Sequence, residues 1–136
     1  MLRIKAFATF FLLFFSIFPS IYSQEICSRT CVAENCNAVS IRYGKYCGVG
    51  WTGCEGEKPC DDVDACCKVH DDCTGKKGVN NVKCHTKFKS CITKVLKSGK
   101  VGFSSECPYS TVVPTMAQGM DMAILFSQMS NMKTDL

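Results

Sequence analysis

Residues 64–73 read Asp-Ala-Cys-Cys-Lys-Val-His-Asp-Asp-Cys, which places a histidine, neighbouring carboxylates and three cysteines on adjacent helical turns. Cys66, His70 and Cys73 stand at i, i+4 and i+7 and therefore share one helix face. Disulfides on that face would fix the imidazole rigidly. Asp71 projects about 100° away from His70 and can hold something else, such as a metal ion. The stretch predicts a helix that carries catalytic side chains.

The first 23 residues are typical of a secretory signal peptide. Arg3 and Lys5 precede an apolar stretch over residues 6–18, and small residues around Ser23 follow it. A stretch of about 13 residues is too short to cross roughly 30 Å of hydrocarbon as a helix. We therefore expect removal of residues 1–23 and a single domain over residues 24–136.

All 12 cysteines lie after this segment. A dense and even set of cysteines in an exported protein predicts a disulfide framework, here of six bridges. Zinc is the competing use of so many thiols, but spaced Cys-x-x-Cys pairs are missing. Disulfides are therefore favoured over zinc.

Charge excludes one class of partner. Without the leader, 14 basic and 12 acidic side chains remain, and a net charge near +2 argues against nucleic acid. Eight lysines and no acidic residue fall between Thr74 and Ser105. A solvated helix face is the simpler interpretation of this cluster, and a surface that approaches anionic lipid is the alternative.

The N-terminal half of the domain is rich in loops. Residues 25–39 carry three cysteines at helix-compatible spacing but no apolar stripe, which predicts a short helix or turn held by disulfides. Residues 41–54 contain four glycines and no helical period, which indicates a structured loop.

Two helices are expected next. A carboxylate at residue 61 or 62 can cap a helix that runs to about Cys73, and the glycines of the Gly75–Gly78 turn then break the chain. The second helix starts near residues 80–81 and ends before Gly99, which suits a position just after a helix.

The cysteine spacing predicts how these helices pair. Cys66 and Cys73 are seven residues apart, as are Cys84 and Cys91. In antiparallel helices the bridges Cys73–Cys84 and Cys66–Cys91 both close, because seven residues span about 10.5 Å of either helix. Sequence alone leaves other connectivities open. This pairing brings His85, beside Cys84, close to the histidine of the first helix.

The C-terminal segment has a different composition. Residues 112–132 contain five methionines and the run Ile-Leu-Phe at 124–126. A third, amphipathic helix is expected from Pro114 or Thr115. Core packing is the default role of its methionines, and contact with lipid or acyl chains is the alternative. The fold class expected is mainly α, small and disulfide-rich.

Two blocks of this sequence resemble those of the secreted phospholipase A2 family. Residues 43–54 read Tyr-Gly-Lys-Tyr-Cys-Gly-Val-Gly-Trp-Thr-Gly-Cys, and residues 64–73 follow as Asp-x-Cys-Cys-x-x-His-Asp-x-Cys. The 12 cysteines and the short turn between the helices are most similar to the plant secretory subclass. The resemblance implies two antiparallel disulfide-linked helices, a glycine-rich calcium loop and a Cys47–Cys67 disulfide.

The resemblance also implies a calcium site. By similarity, the carbonyl oxygens of Tyr46, Gly48 and Gly50 and the carboxylate of Asp71 would bind Ca²⁺. Glycines allow positive φ and can turn several carbonyls toward one point. Calcium takes six to eight oxygens, and a site with one carboxylate should bind it with a dissociation constant on the order of 10⁻⁴ to 10⁻³ M.

The activity implied is calcium-dependent hydrolysis of the sn-2 ester of glycerophospholipids, which releases a fatty acid and a lysophospholipid. His70 would act as general base on the attacking water, because an imidazole of pKa near 6.5 is largely neutral at physiological pH. Calcium and the backbone N–H of Gly48 would stabilise the oxyanion. The expected partner is a phospholipid membrane or aggregate, and the expected state is a monomer.

One position departs from the family pattern. His85 stands where the animal enzymes have an aspartate that orients the catalytic histidine. An imidazole can accept the same hydrogen bond but supplies no negative charge. His85 as an orienting residue and His85 as an ordinary exposed histidine both remain open. Ile41, Val49 and Trp51 flank the loop and are candidates for lipid contact, with a core role for Trp51 as the alternative.

Other hypotheses are a non-catalytic binding protein on the same scaffold, which the change at His85 leaves open, and a disulfide-rich inhibitor. The last four residues, Lys-Thr-Asp-Leu, are similar to the Lys-Asp-Glu-Leu retrieval signal. The signal peptide pattern predicts secretion. For the last four residues, retention in the endoplasmic reticulum or Golgi is one hypothesis and an ordinary polar tail is the other.

Overall fold

The structure is a computed structural model that describes residues 26–134. The predicted signal peptide and the last two residues of the C-terminal tetrapeptide lie outside this range. The element order is β1 (Val32–Glu34), β2 (Arg42–Gly44), α1 (Asp62–Lys77), α2 (Val82–Lys97) and α3 (Tyr109–Thr134). The predicted mainly α class is confirmed. Among the described residues, none of the helices combines the length and apolarity that crossing a bilayer requires.

Helix α1 begins at a capping residue and ends at a glycine. The carboxylate of Asp61 accepts a hydrogen bond from the backbone N–H of Asp64 at 3.0 Å and so satisfies a free donor of the first turn. The helix continues through Gly75 to Lys77, and Gly78, whose φ is +92°, caps its C-terminus. The prediction that Gly75 breaks the helix is wrong, because one internal glycine costs only about 1 kcal/mol.

Helix α2 has the predicted limits. The side chain of Asn81 caps it by accepting from the N–H of Cys84 at 3.1 Å, and Gly99 follows its last turn with φ +71°. Both disulfides predicted from the spacing, Cys73–Cys84 and Cys66–Cys91, are present.

The remaining cysteines tie the loops to the helices. Cys47–Cys67 is present as the resemblance implied. Spacing did not predict the other three pairs, which are Cys27–Cys54, Cys31–Cys60 and Cys36–Cys107. All 12 cysteines fall within the described residues and all are paired. This arrangement leaves no thiolate for zinc.

The helix or turn predicted over residues 25–39 is wrong in part. Residues 32–34 form β1, which pairs antiparallel with β2 in the register Ala33↔Tyr43. Disulfides flank this strand on both sides and join it to distant residues, Cys31 to Cys60 and Cys36 to Cys107. An extended chain can span those anchor points, whereas strands of three residues are too short to show a period in the sequence.

Helix α3 starts at Tyr109, five residues before the predicted start, and contains Pro114. The proline removes one backbone hydrogen bond, but Val112 and Val113 on the preceding turn are buried in the core. They pack in one cluster with Val63 of α1 and Phe88 and Ile92 of α2. Tertiary burial therefore outweighs the local cost of the proline.

Candidate active site

An apolar cavity of about 560 Å³ lies between α1, α3 and the glycine-rich loop. His70 and Asp71 of α1 line it together with Phe88 of α2. The loop contributes Ile41 and residues 46–49, and α3 contributes residues between Thr115 and Ala123. The histidine and carboxylate singled out from the sequence therefore face a space that can hold an apolar ligand.

The loop is fixed to α1 by Asp64, a residue that the sequence reasoning did not assign to the site. Its carboxylate is fully buried and accepts hydrogen bonds from the backbone N–H groups of Lys45, Tyr46 and Cys60 at 3.0, 2.8 and 2.9 Å. Three donors compensate a buried charge. Gly44 approaches the same carboxylate so closely that a Cβ atom there would collide with it.

Two glycines give the loop a backbone shape that other residues rarely adopt. Gly48 has φ +148° and Gly50 has φ +65°. A Cβ atom on Gly48 would lie 2.7 Å from the carbonyl oxygen of Ile41, so the close approach of the two backbones requires glycine. Tyr46 and Gly48 line the cavity beside Asp71, and Gly50 lies outside its wall.

Asp71 is half-buried, and a single side-chain hydrogen bond offsets the burial of its carboxylate. The hydroxyl of Thr52 donates a hydrogen bond to its Oδ2 at 2.9 Å. Burial raises the pKa of Asp71 from its ordinary 3.8 to about 6, and the Thr52 hydrogen bond opposes this only in part. Desolvation disfavours the ionised form, so a bound cation would stabilise it.

The donors around Asp71 suit a hard cation. Within residues 26–134, no three His, Cys, Asp or Glu side chains come together in a metal-binding group. A carboxylate is an oxygen donor of the type that calcium accepts, and Tyr46 and Gly48 of the loop line the same cavity as Asp71. The residues present therefore fit Ca²⁺.

The two histidines form a hydrogen-bonded pair. His70 Nε2 lies 2.9 Å from His85 Nδ1, and His85 Nε2 lies 2.9 Å from the carbonyl oxygen of Val79. Burial and, secondarily, the neighbouring His85 imidazole lower the pKa of His70 from 6.5 to about 4. His70 is therefore neutral at physiological pH. The prediction that His85 comes near His70 is confirmed, and an exposed His85 is ruled out because its side chain is buried.

The flanking residues of the loop have different environments. Ile41 is buried in the core and also lines the cavity. Val49 is almost fully exposed. Trp51 is half-buried under the guanidinium of Arg42, whose Cζ lies 4.7 Å from the ring centroid. Thr52, Asp64 and Val79 were missed from the sequence, because only the fold brings them to Asp71, the loop and His85.

Known proteins are similar to this chain in sequence and in fold. No family model matches the chain. A probable phospholipase A2 homolog 1 of rice (Oryza sativa subsp. japonica) is 62% identical over 110 residues, which are 81% of this chain and 80% of that protein. Phospholipase A2-beta of Arabidopsis thaliana is 53% identical over 136 residues, covering 95% of this chain and 92% of the relative.

Solved structures agree with these relatives. A rice phospholipase A2 structure matches with a TM-score of 0.72 and 33% identity, over 80% of this chain and 91% of that one. The rice enzyme in complex with octanoic acid matches equally well in TM-score, with 34% identity over 80% and 96% of the two chains.

Fold, site and relatives define a small, disulfide-bonded, lipid-hydrolysing enzyme. The chain belongs to the secreted phospholipase A2 family and groups with its plant members. Its activity is that of a phospholipase A2, a carboxylic ester hydrolase with a lipid substrate.

Proposed function

We propose that this enzyme hydrolyses the sn-2 ester of glycerophospholipids in a calcium-dependent reaction, releasing a fatty acid and a lysophospholipid. The observation that carries the proposal is the hydrogen-bonded chain from Val79 through His85 to His70, at the wall of an apolar cavity that Asp71 also lines. A base, a cation-binding carboxylate and room for an acyl chain are the three components that this reaction needs.

The first step of the proposal concerns the tautomer of His70. A carbonyl oxygen only accepts hydrogen bonds, so His85 Nε2 must carry the proton that it donates to Val79. In neutral His85 this leaves Nδ1 as an acceptor, and His70 Nε2 must then be the donor. Neutral His70 therefore keeps its lone pair on Nδ1. That atom is the one we assign to proton abstraction from water.

His85 acts in this scheme as a positioning residue. It holds the His70 ring in one orientation and one tautomer, the role that second partners of catalytic histidines commonly have. The histidine carries no negative charge when neutral, so it stabilises the imidazolium of His70 less than a carboxylate would. Burial of His85 and partial burial of His70 limit competition from water for the hydrogen bond.

Asp71 and the carbonyl oxygens of Tyr46, Gly48 and Gly50 would hold the calcium ion. Bound there, Ca²⁺ would supply Lewis-acid polarisation of the ester carbonyl and charge for the oxyanion. Asp64 holds the backbone of Lys45 and Tyr46 through their N–H groups, which fixes the loop relative to α1. The N–H of Gly48 is assigned to the oxyanion as a further donor.

The cavity accounts for the apolar part of the substrate. Ile41, Phe88 and Met116 are buried side chains of its wall, and apolar walls bind acyl chains by excluding water. The rice relative that was solved with octanoic acid shows that a protein of this fold accepts a short fatty acid. We place the sn-2 acyl chain in this cavity and the head group outside it.

Location and assembly complete the proposal. We infer secretion of a monomer after loss of residues 1–23, in line with a disulfide-rich family of secreted enzymes. Retention in the endoplasmic reticulum or Golgi through the last four residues is the alternative destination. Equal secretion of tagged protein with and without those four residues would rule out retention.

Fatty-acid release from phospholipid vesicles tests the proposal. Mature protein is assayed with calcium, with chelator, and as His70→Asn and Asp71→Asn, using substrate labelled separately at sn-1 and sn-2. We expect calcium-dependent sn-2 release that either substitution lowers by at least about 10²-fold. Release that persists in chelator would refute the calcium role, and full activity in folded His70→Asn would refute the base.

A further inference from the structure

Trp51 closes the turn of the loop that carries two of the proposed calcium ligands. Its backbone N–H donates a hydrogen bond to the carbonyl oxygen of Gly48 at 3.3 Å, so residues 48–51 form one turn. The tip of this turn is open, because Val49 is almost fully exposed and a Cβ atom on Gly50 would meet nothing within 4 Å. The shape of the turn therefore depends on what holds its two ends.

Strand β2 and the residue before it hold both ends of the turn. At the first end, a Cβ atom on Gly48 would lie 2.7 Å from the carbonyl oxygen of Ile41 and 3.1 Å from Cβ of Trp51. At the last end, the guanidinium of Arg42 lies over the Trp51 ring, with its Cζ 4.7 Å from the ring centroid. A guanidinium in this position is attracted by the π system of the indole. We call this contact the Arg42–Trp51 stack.

Arg42 forms the stack although a carboxylate stands opposite it in the sheet. Glu34 is its partner in the antiparallel register, and opposite charges commonly pair from such positions. Within residues 26–134, neither of these two side chains takes part in an ion pair. The indole Nε1 of Trp51 is buried and has no hydrogen-bond partner in that range. Packing and the charge at the ring face thus position the Trp51 side chain.

Trp51 also lies between two parts of the proposed calcium site. The turn before it carries the carbonyl oxygens of Gly48 and Gly50. Thr52, directly after it, donates a hydrogen bond to the carboxylate of Asp71 at 2.9 Å. A displacement of the indole would therefore disturb the carbonyl ligands and the carboxylate at once.

We propose that the Arg42–Trp51 stack holds this turn in the conformation that binds calcium. Arg42 and Trp51 act as positioning residues, and neither touches the ion. Ligands that are already ordered bind more tightly, because binding no longer has to fix them. The inference rests on the proposed calcium-dependent function and adds the residues that shape its metal site. Without such a role an arginine near a cation site is unfavourable, since like charges repel.

Calcium titration by calorimetry tests the stack. The mature protein is compared with Arg42→Gln, which removes the guanidinium, and with Arg42→Lys, which keeps a cation over the ring. Trp51→Leu removes the ring, and Arg42→Gln/Trp51→Leu completes a double-mutant cycle. Lys58→Gln is the matched control, because it removes the same charge from another exposed loop residue. Trp51→Met replaces Trp51→Leu if the latter does not fold.

Arg42→Gln should bind calcium about two- to fivefold more weakly than the wild type, and Arg42→Lys should recover most of that loss. The sign is decisive, because removal of a positive charge alone would strengthen the binding of a cation. Lys58→Gln should therefore bind at least as tightly as the wild type. In the Trp51→Leu background, Arg42→Gln should cause no further loss. Undiminished affinity in Arg42→Gln, or additive losses in the double variant, would overturn the proposal.

Amide hydrogen exchange in chelator separates the stack from general stability and from the metal. In Arg42→Gln the backbone N–H of Trp51 should exchange at least about twofold faster, whereas the amide of Ile92, which is fully buried in α2, should keep its wild-type rate. Equal acceleration at both positions, or none at Trp51, would refute the stack alone. A wild type that binds no calcium would refute the proposed function together with this inference.

Discussion

The two walls of the cavity are built in opposite ways. The wall that carries His70 belongs to helices joined by Cys66–Cys91 and Cys73–Cys84, and a buried carboxylate fastens the loop to it. The other wall is α3, which has no cysteine and leaves its C-terminal half largely exposed. Reacting groups need fixed geometry, whereas a cavity wall without reacting groups tolerates freedom.

Removal of the Cys73–Cys84 disulfide should show the largest effect. It loosens the wall that carries His70, which we call the fixed wall, in contrast to the exposed wall formed by α3. Cys73→Ala/Cys84→Ala opens the loop of 11 residues that this disulfide closes. The free energy of unfolding should fall by about 3 kcal/mol. That corresponds to a melting temperature about 10 °C lower for a domain of this size. Catalytic turnover should fall as well, since the bridge holds the helices that carry the two histidines.

The comparison of the two walls supplies the control. Phe126→Gln on the exposed wall should leave the melting temperature unchanged within about 2 °C, because surface substitutions usually change stability by less than about 0.5 kcal/mol. Thermal unfolding followed by circular dichroism measures both variants. A similar loss of stability in both variants would contradict the division into a fixed wall and an exposed wall.

The hydrogen bond between the histidines should be next in size. His85→Phe removes the acceptor for His70 Nε2 and should lower kcat by about 10²-fold, with KM little changed. His85→Asp restores an acceptor and adds the missing negative charge, so it should regain most of kcat. The ¹⁵N shifts of His70 should report proton on Nε2 in the wild type and a tautomer mixture in His85→Phe.

A purely structural role of His85 would predict other results. In that case His85→Asp would be as inactive as His85→Phe, and kcat would follow the melting temperature across the variants. His85→Asn, which keeps an acceptor of similar size, gives a third point for distinguishing the two.

Calcium affinity should depend on pH through Asp71. Burial raises the pKa of this carboxyl to about 6, and calcium binds only the ionised form. Affinity should therefore be constant above about pH 7 and fall by up to tenfold for each pH unit below 6. Calorimetric titration between pH 5 and 8 measures it. A carboxyl of ordinary pKa would instead keep full affinity down to about pH 5.

Much of the fixed wall could be predicted from the sequence, because its features are local in the chain. Helix periodicity placed His70 and Asp71, and equal cysteine spacing gave both disulfides between α1 and α2. The approach of His85 to His70 followed from that pairing. The metal ligands carried over from the resemblance stay a prediction.

Features that depend on distant parts of the chain could not be predicted. The strand β1, the early start of α3 and the Cys36–Cys107 bridge are set by tertiary contacts. The hydrogen bonds of Asp64 to the loop backbone span 18 or 19 residues, and no local pattern marks them. The same is true of Thr52, whose hydroxyl reaches Asp71 across 19 residues.

Thr52 should give the smallest effect, and it tests how far the fixed wall extends. Its carbonyl oxygen accepts a hydrogen bond from Ser28 at 2.7 Å, beside the Cys27–Cys54 bridge. The N-terminal segment thus holds the residue whose hydroxyl orients the Asp71 carboxylate. Thr52→Val keeps the shape and removes that donor, so calcium affinity should fall about two- to fivefold at pH 7.

Thr52→Ser retains the hydroxyl and should bind calcium as the wild type does, which makes it the matched control for Thr52→Val. The loss should grow as the pH falls toward 6, because without its donor the pKa of Asp71 rises further and protons compete better with calcium. Equal calcium affinities for Thr52→Val and Thr52→Ser at pH 6.5 would show that Asp71 is oriented by α1 alone. The fixed wall would then end at the helix pair, and the N-terminal disulfide would serve stability without contributing to the proposed calcium site.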